Sequence, residues 1–119
     1  MSLTINKRES GNVVILDLNG QITLGDTAAS LRDTVRQLLE EGRKNILLNL
    51  AAVPYMDSSG LGQLVGSFAT VTSRGGQFKL VNLQTKLQSL MYVTKLIALF
   101  DVYADEATAL HSFSTAASA

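Results

Sequence analysis

The hydrophobic residues of the chain recur at two different spacings, and each spacing predicts a different kind of secondary structure. Between residues 26 and 41 apolar side chains recur every three or four positions, which predicts an amphipathic helix. Residues 44–50 are apolar on both faces, as is typical of a strand that helices cover. Over the whole chain the pattern predicts strands at 3–8, 12–19, 44–50, 77–83 and 99–103, and helices at 26–41, 61–74, 85–92 and 105–113.

The order of these elements predicts the fold class. The tripeptide Ser10-Gly11-Asn12 between the first two strands is typical of a hairpin turn. After this hairpin, strands alternate with helices, and such alternation forms parallel strand pairs through right-handed crossovers. We therefore expect an α/β fold with a mainly parallel, mixed β-sheet, an N-terminal hairpin and about four helices.

Two polar segments follow predicted strands and are the candidate functional loops. One is the connector at residues 20–26, and the other is the serine motif, which we define as residues 55–62, Tyr-Met-Asp-Ser-Ser-Gly-Leu-Gly. In open α/β sheets, binding sites gather at the carboxyl ends of the strands. We therefore expect both segments to contribute to one recognition surface.

Composition narrows the class of protein. The chain has 119 residues, 46% of them hydrophobic, and ten charged residues of each sign. This predicts a single globular domain at residues 1–113, with a flexible tail at residues 114–119. The zero net charge and the absence of a Lys/Arg run argue against nucleic-acid binding.

The same sequence bears on compartment and on cysteine chemistry. No apolar run approaches the length of a membrane span of about 18 residues, and the N-terminus lacks a signal-like pattern. We therefore expect a cytoplasmic protein without membrane contact.

The chain has no cysteine, which excludes disulfides and thiolate nucleophiles.

The serine motif begins a predicted helix, and two interpretations of it remain open. Asp57, Ser58 and Ser59 all favour N-cap positions, because their side-chain oxygens accept hydrogen bonds from the first helical N–H groups. The plain interpretation is an ordinary helix cap. The alternative is that a serine hydroxyl is displayed there to be modified.

The glycines that follow also allow two interpretations. Gly60, Gly62 and Gly66 each weaken a helix by roughly 1 kcal/mol relative to alanine. Close backbone packing is the commoner reason for such glycines, and access for a partner is the other.

Catalytic functions are poorly supported by the residues present. A serine nucleophile needs a base, and the single histidine, His111, lies in the predicted last helix among alanine and leucine. The sequence lacks both a G-x-S-x-G and a G-x-x-x-x-G-K-[ST] motif, and one histidine cannot form a metal site by itself. We therefore predict no catalytic residue, no metal and no cofactor.

A phosphoacceptor aspartate is a further alternative, because Asp57 follows a central strand, as in response-regulator receivers. Such a site needs additional carboxylates to hold Mg²⁺, and the segments after the first strands supply only Ser10-Gly11-Asn12 and Asn19-Gly20. The ligand set for a receiver is therefore incomplete.

Phosphorylation of a serine by another protein fits the motif better. A phosphate adds about −1.5 to −2 charges and three acceptor oxygens. At a helix N-terminus the free N–H groups and the helix dipole favour that charge, so the domain should stay folded. Beside Asp57, the added charge should disrupt a complex through repulsion and desolvation.

At this point the sequence resembles a known family, the anti-sigma factor antagonists, which are single STAS domains of bacteria. The serine motif carries most of the resemblance. Weaker similarities are Leu18-Asn19-Gly20-Gln21-Ile22, Leu48-Asn49-Leu50 and Gly75-Gly76, so the likeness covers nearly the whole chain. The resemblance implies a STAS-like fold.

The resemblance also implies a function. Such an antagonist binds an anti-sigma factor that is also a serine kinase, and so releases a sigma factor for transcription. Phosphorylation by that kinase ends the interaction, and a serine phosphatase restores it. The acceptor corresponds to Ser58, with Ser59 as the alternative acceptor or as a helix cap. The implied partner-binding residues are Gly20, Gln21, Thr23, Asp26, Asp57, Ser59, Gly60 and Gly62.

One departure from the family pattern affects partner recognition. The family commonly has Gly-Glu-Ile/Leu-Asp in the first loop, whereas this chain has Gly20-Gln21-Ile22-Thr23, without either carboxylate. Asp26 lies three residues later and is a candidate substitute. STAS domains also serve as scaffolds in transporters and stress-sensing complexes, and a scaffold of this kind that lacks the switch is the alternative function. The intact Asp-Ser-Ser-Gly sequence favours the antagonist.

Overall fold

The computed structural model of the protein describes the backbone of residues 3–20 and 26–117 and the side chains of residues 3–20 and 30–113. Nine strands and helices and one short 3-10 helix follow one another in this part of the chain. They are β1 (Leu3–Ser10), β2 (Val13–Gly20), α1 (Asp26–Glu40), β3 (Asn45–Ala52), α2 (Ser58–Ser73), β4 (Gln77–Val81), α3 (Thr85–Val93), the 3-10 helix (Leu96–Ala98), β5 (Asp101–Tyr103) and α4 (Glu106–Ala117).

The five strands form one sheet in the order β1-β2-β3-β4-β5. β1 is antiparallel to β2, and the pairs from β2 to β5 are parallel. The β1–β2 turn contains Gly11 with φ of 60°, a left-handed backbone conformation that glycine adopts without strain. The predicted α/β fold, with its hairpin and its mixed, mainly parallel sheet, is confirmed.

The sheet separates two apolar layers, because successive residues of a strand point to opposite faces. Val14, Leu16 and Leu18 of β2 pack with the larger core, which includes the apolar stripes of α1, α2 and α3. Val13 and Ile15 face the other way and pack with Phe113 of α4. The alternation inside one apolar strand thus accounts for three helices on one face and one helix on the other.

Several element boundaries differ from those predicted, and α2 begins at Ser58 rather than at residue 61. β4 ends at Val81 rather than at residue 83, because Asn82 adopts φ of 63° and leaves the extended conformation. β5 begins at Asp101, since residues 96–98 form the 3-10 helix. α4 continues to Ala117, four residues into the segment predicted to be a tail, where two alanines favour helix.

The predicted helix stops are confirmed at glycines with positive φ. Gly42, with φ of 82°, follows α1, and the amide of Arg43 donates to the Leu38 carbonyl. Gly75, with φ of 78°, follows α2. At Gly76 an added Cβ would lie 2.2 Å from the Lys44 carbonyl oxygen, so the chain comes too close here for any side chain.

Candidate functional site

The carboxyl ends of the parallel strands lie along one edge of the sheet, and Gly20 and the serine motif both follow strands that end there. A shift in register between Asp17 and Asn19 places Asn19 beside Ala52, the last residue of β3. Gly20 ends β2 with φ of 124°, a conformation that favours glycine. The serine motif begins three residues after Ala52, so Gly20 and the motif both leave this edge, as predicted.

Three of the predicted partner-binding residues lie wholly or partly outside the described part of the chain. Gln21 and Thr23 lie outside the described residues. Asp26 is the first residue of α1, and its side chain is also outside the described part.

The helix cap at the serine motif belongs to Asp57. This residue has an extended backbone, and its Oδ1 accepts a hydrogen bond from the Gly60 amide at 2.9 Å. Ser58 and Ser59 are the first two residues of α2. The alternative role of Ser59 as the cap is therefore wrong, and Ser58 lies on the surface at the first turn of the helix.

The glycines of the motif differ from one another. Gly60 is buried, and its amide donates a hydrogen bond to the Asp57 carboxylate. Its role in binding a partner stays a prediction. Gly62 and Gly66 are exposed, and an added Cβ at either would meet no atom within 4 Å. The expectation of close packing is therefore wrong for these two positions, and access for a partner stays a prediction.

A chain of polar side chains supports the edge from the α4 face of the sheet. Asn49 Nδ2 donates to Asp17 Oδ1 at 2.8 Å, and Asn82 Nδ2 donates to Asn49 Oδ1 at 3.1 Å. Asn49 Oδ1 also accepts from the Ala51 amide at 3.1 Å. The network fixes the end of β3, from which the serine motif follows. Asn49 in an otherwise apolar strand was the sequence signal for it.

At one end of this network, Arg8 pairs with the negative charge of Asp17. Its guanidinium pairs with both carboxylate oxygens of Asp17 and donates to Glu106 at 2.7 Å. The hydrogen bonds from Arg8 lower the pKa of Asp17, the bond from Asn49 acts in the same direction, and partial burial opposes them. Asp17 is therefore ionised through the neutral pH range.

An apolar groove lies next to the motif, and the sequence reasoning missed it. It runs between the segment before α2 and the surface of α3, and its volume is about 320 Å³. Val93 is 81% exposed and Tyr55 is 48% exposed, so these apolar surfaces face solvent. Exposed apolar residues at the end of an amphipathic helix were its only sequence signal. Its lining includes Pro54, Tyr55, Met56, Leu87, Leu90 and Val93.

The surroundings of Ser58 do not include a histidine. His111 is exposed on α4, where it borders a depression with Gly11 and Val13 at the amino end of β2, the opposite edge of the sheet from the motif. Within the described residues, no three His, Asp or Glu side chains group as metal ligands. None of the helices in this part of the chain is long and apolar enough to span a membrane.

Comparison with known proteins shows the family. A sequence-family model, that of the STAS domain, matches residues 4–109. The chain belongs to the STAS domain family. It is 34% identical over 104 residues to the anti-sigma-B factor antagonist of Bacillus subtilis (strain 168), covering 87% of this chain and 94% of that protein. Together these matches confirm the resemblance to the anti-sigma factor antagonists, which are named as regulators and not as enzymes.

Solved structures agree with this STAS assignment. A crystal structure of a Thermotoga maritima protein, described as a candidate anti-sigma factor antagonist, superposes with a TM-score of 0.85 at 27% identity, covering 91% of this chain and 92% of that one. The Bacillus cell fate determinant SpoIIAA in its phosphorylated form gives a TM-score of 0.71 at 19% identity, covering 92% and 99%, and shows the same fold.

Proposed function

We propose that this STAS protein is an anti-sigma factor antagonist that binds its partner in the unphosphorylated form and is switched off by phosphorylation of Ser58. The observation that carries the proposal is the division of roles at the start of α2. Asp57 supplies the cap, so the fold does not need the Ser58 hydroxyl for this purpose, and Ser58 is exposed to an incoming kinase.

The position of Ser58 fits a phosphate that the fold tolerates. Ser58 is the first residue of α2, where the helix dipole stabilises negative charge by about 0.3 to 1 kcal/mol. The 16-residue helix is anchored by Leu61, Leu64 and Val71, all buried. Phosphorylation should therefore change the surface and leave the domain folded.

The same position explains how a phosphate would end binding. Ser58 follows Met56, a lining residue of the apolar groove, by two positions. A partner that packs on this groove would have to desolvate a phosphate with about two negative charges, beside the Asp57 carboxylate. Desolvation and repulsion together favour dissociation.

The partner implied by the family is an anti-sigma factor with serine kinase activity, and a serine phosphatase would reverse the modification. Both would act in the cytoplasm. We propose no catalytic role for the chain itself, since Ser58 would be the substrate of the kinase. SpoIIAA supports the proposal to the extent that a protein with this fold is known in a phosphorylated form.

Mass spectrometry tests the acceptor. The protein is incubated with the anti-sigma kinase of the same genome and ATP, beside Ser58→Ala and Ser59→Ala variants. We expect one added phosphate on the wild type and on Ser59→Ala, and none on Ser58→Ala. Equal phosphorylation of Ser58→Ala would refute the assignment to Ser58, and an unphosphorylated wild type would refute the switch.

A further inference from the structure

A second groove, between α1 and α2, has the features of an anion site and is distinct from the apolar groove. Its volume is about 230 Å³, and its lining includes Arg32, Arg36, Glu40, Gly66, Ser67 and Arg74. Gly66 lies eight residues after Ser58, which corresponds to roughly 12 Å along the helix. The groove therefore lies on the side of α2, away from its N-terminus.

The hydroxyl of Ser67 has no hydrogen-bond partner within the described part of the chain, although the residue is only 4% exposed. Other hydroxyls of α2 donate to helix carbonyls: Thr70 to Gly66 at 2.9 Å and Ser73 to Thr70 at 2.8 Å. A buried polar group without a partner costs about 1 to 3 kcal/mol. Ser67 lines the groove, so an acceptor bound there would remove that cost once the hydroxyl turns toward it.

The arginines of the groove provide the charge. Among the described side chains, Arg36 and Arg74 pair with no carboxylate, and Arg32 makes one contact, at 3.7 Å, with its exposed neighbour Asp33. Glu40 is the one acidic residue among the lining side chains. The lining thus carries two more positive than negative charges, which a phosphate of about −1.5 to −2 would balance.

Gly66 provides the space. It is exposed in the middle of α2, and a Cβ there would meet nothing within 4 Å, so packing inside the chain does not require a glycine. A glycine at this position costs the helix roughly 1 kcal/mol relative to alanine. It keeps the floor of the groove open. Since water occupies about 30 Å³ in the liquid, the groove has more than enough room for a phosphate group.

We propose that the groove between α1 and α2 binds a phosphate group, as inorganic phosphate or as a phosphate monoester. Arg36 and Arg74 pair with the phosphate oxygens, because guanidinium groups match their geometry, and Ser67 donates a hydrogen bond. The ligand is recognised at a surface separate from Ser58, so its binding does not depend on the phosphorylation switch.

Two-dimensional ¹H–¹⁵N NMR of the full chain tests this proposal. Inorganic phosphate and O-phosphoserine are titrated separately, and the Gly66 and Ser67 amides and the Nε–H groups of Arg36 and Arg74 are followed. We expect saturable shifts at these groups with at least one ligand. The ligand that binds more tightly shows whether the groove prefers free phosphate or a phosphate monoester. If neither ligand gives saturable shifts there at millimolar concentration, the proposal is wrong.

Two matched pairs of variants test whether phosphate binding requires residues of the groove or only positive charge and a glycine in α2. Arg36→Gln should weaken binding about tenfold, whereas Lys95→Gln, an exposed cation outside the groove, should leave it within about twofold. Gly66→Ala should weaken binding severalfold, whereas Gly62→Ala, an equally open glycine of the same helix outside the groove, should not. Equal effects within either pair would overturn the site.

Discussion

The Asp57 carboxylate and the Gly60 amide are joined by a hydrogen bond of 2.9 Å, and this bond starts α2. It satisfies one of the N–H groups that a helix leaves without a partner at its N-terminus. It also makes the neighbouring Ser58 the first helical residue, on the surface. The cap and the proposed site of modification are thus adjacent residues.

Removing this cap should destabilise the domain. We expect Asp57→Ala to lower the free energy of unfolding by about 1 kcal/mol, because the Gly60 amide loses its acceptor. Urea denaturation measures this change. Asp57→Asn is the control, since asparagine caps about as well as aspartate. An equal loss in Asp57→Asn would mean that the charge, and not the cap, is what matters.

A charge mimic at Ser58 should separate binding from folding. We expect Ser58→Asp to leave the melting temperature nearly unchanged, because Ser58 is exposed at a helix N-terminus. Binding to the anti-sigma factor should weaken by more than about 1 kcal/mol because of the like charge at Asp57. Calorimetry measures both quantities, with Ser58→Ala as the uncharged control. A marked fall in melting temperature would contradict the exposed position of Ser58.

The apolar groove should contribute to partner binding. Val93 and Tyr92 are both exposed at the end of α3, but only Val93 lines the groove. We expect Val93→Asp to weaken binding of the anti-sigma factor about tenfold, because a buried carboxylate without a partner is costly. Tyr92→Asp is the matched control. If the two variants bind equally well, the groove lies outside the interface.

Stability should depend on acid pH through Asp17. Its pKa in the folded state is lowered, chiefly by the hydrogen bonds from Arg8, so its contribution is complete above its ordinary pKa of about 3.9. That contribution is lost as the pH falls through the lower folded value. We expect Asp17→Asn to cost about 1 kcal/mol at pH 7 and progressively less below pH 4. Melting temperatures of both proteins between neutral and acid pH test this, and a constant difference would contradict it.

The turn after α2 should not tolerate a side chain. An alanine Cβ at Gly76 would lie 2.2 Å from the Lys44 carbonyl oxygen, so the backbone must move. We expect Gly76→Ala to destabilise the domain by about 2 kcal/mol or more, in the range of strained substitutions. Gly62→Ala, at an open helical position, should instead stabilise it by up to about 1 kcal/mol. Thermal denaturation of the two variants compares them directly.

Most of the fold could be predicted from the sequence because local patterns and burial agree. The apolar run of β3 and the amphipathic spacing of α1 specify their own conformation, and their alternation leaves few topologies. Boundaries were predicted less well where a single residue decides the backbone. Asn82 ends β4 by adopting positive φ. Asparagine favours turns, but its presence at one position does not by itself fix where a strand ends.

The sequence by itself determined the family, the position of the serine motif and the set of residues able to cap α2. Only the tertiary structure decided that Asp57 is the cap, that Gly60 is buried while Gly62 and Gly66 are open, and that Asn49 links Asp17 to Asn82 across the sheet. It also revealed both grooves. The physical reason is that neighbours in the chain only limit which residues can cap a helix. The backbone conformation that selects the cap, burial, open space and unpaired polar groups are seen only in the folded chain.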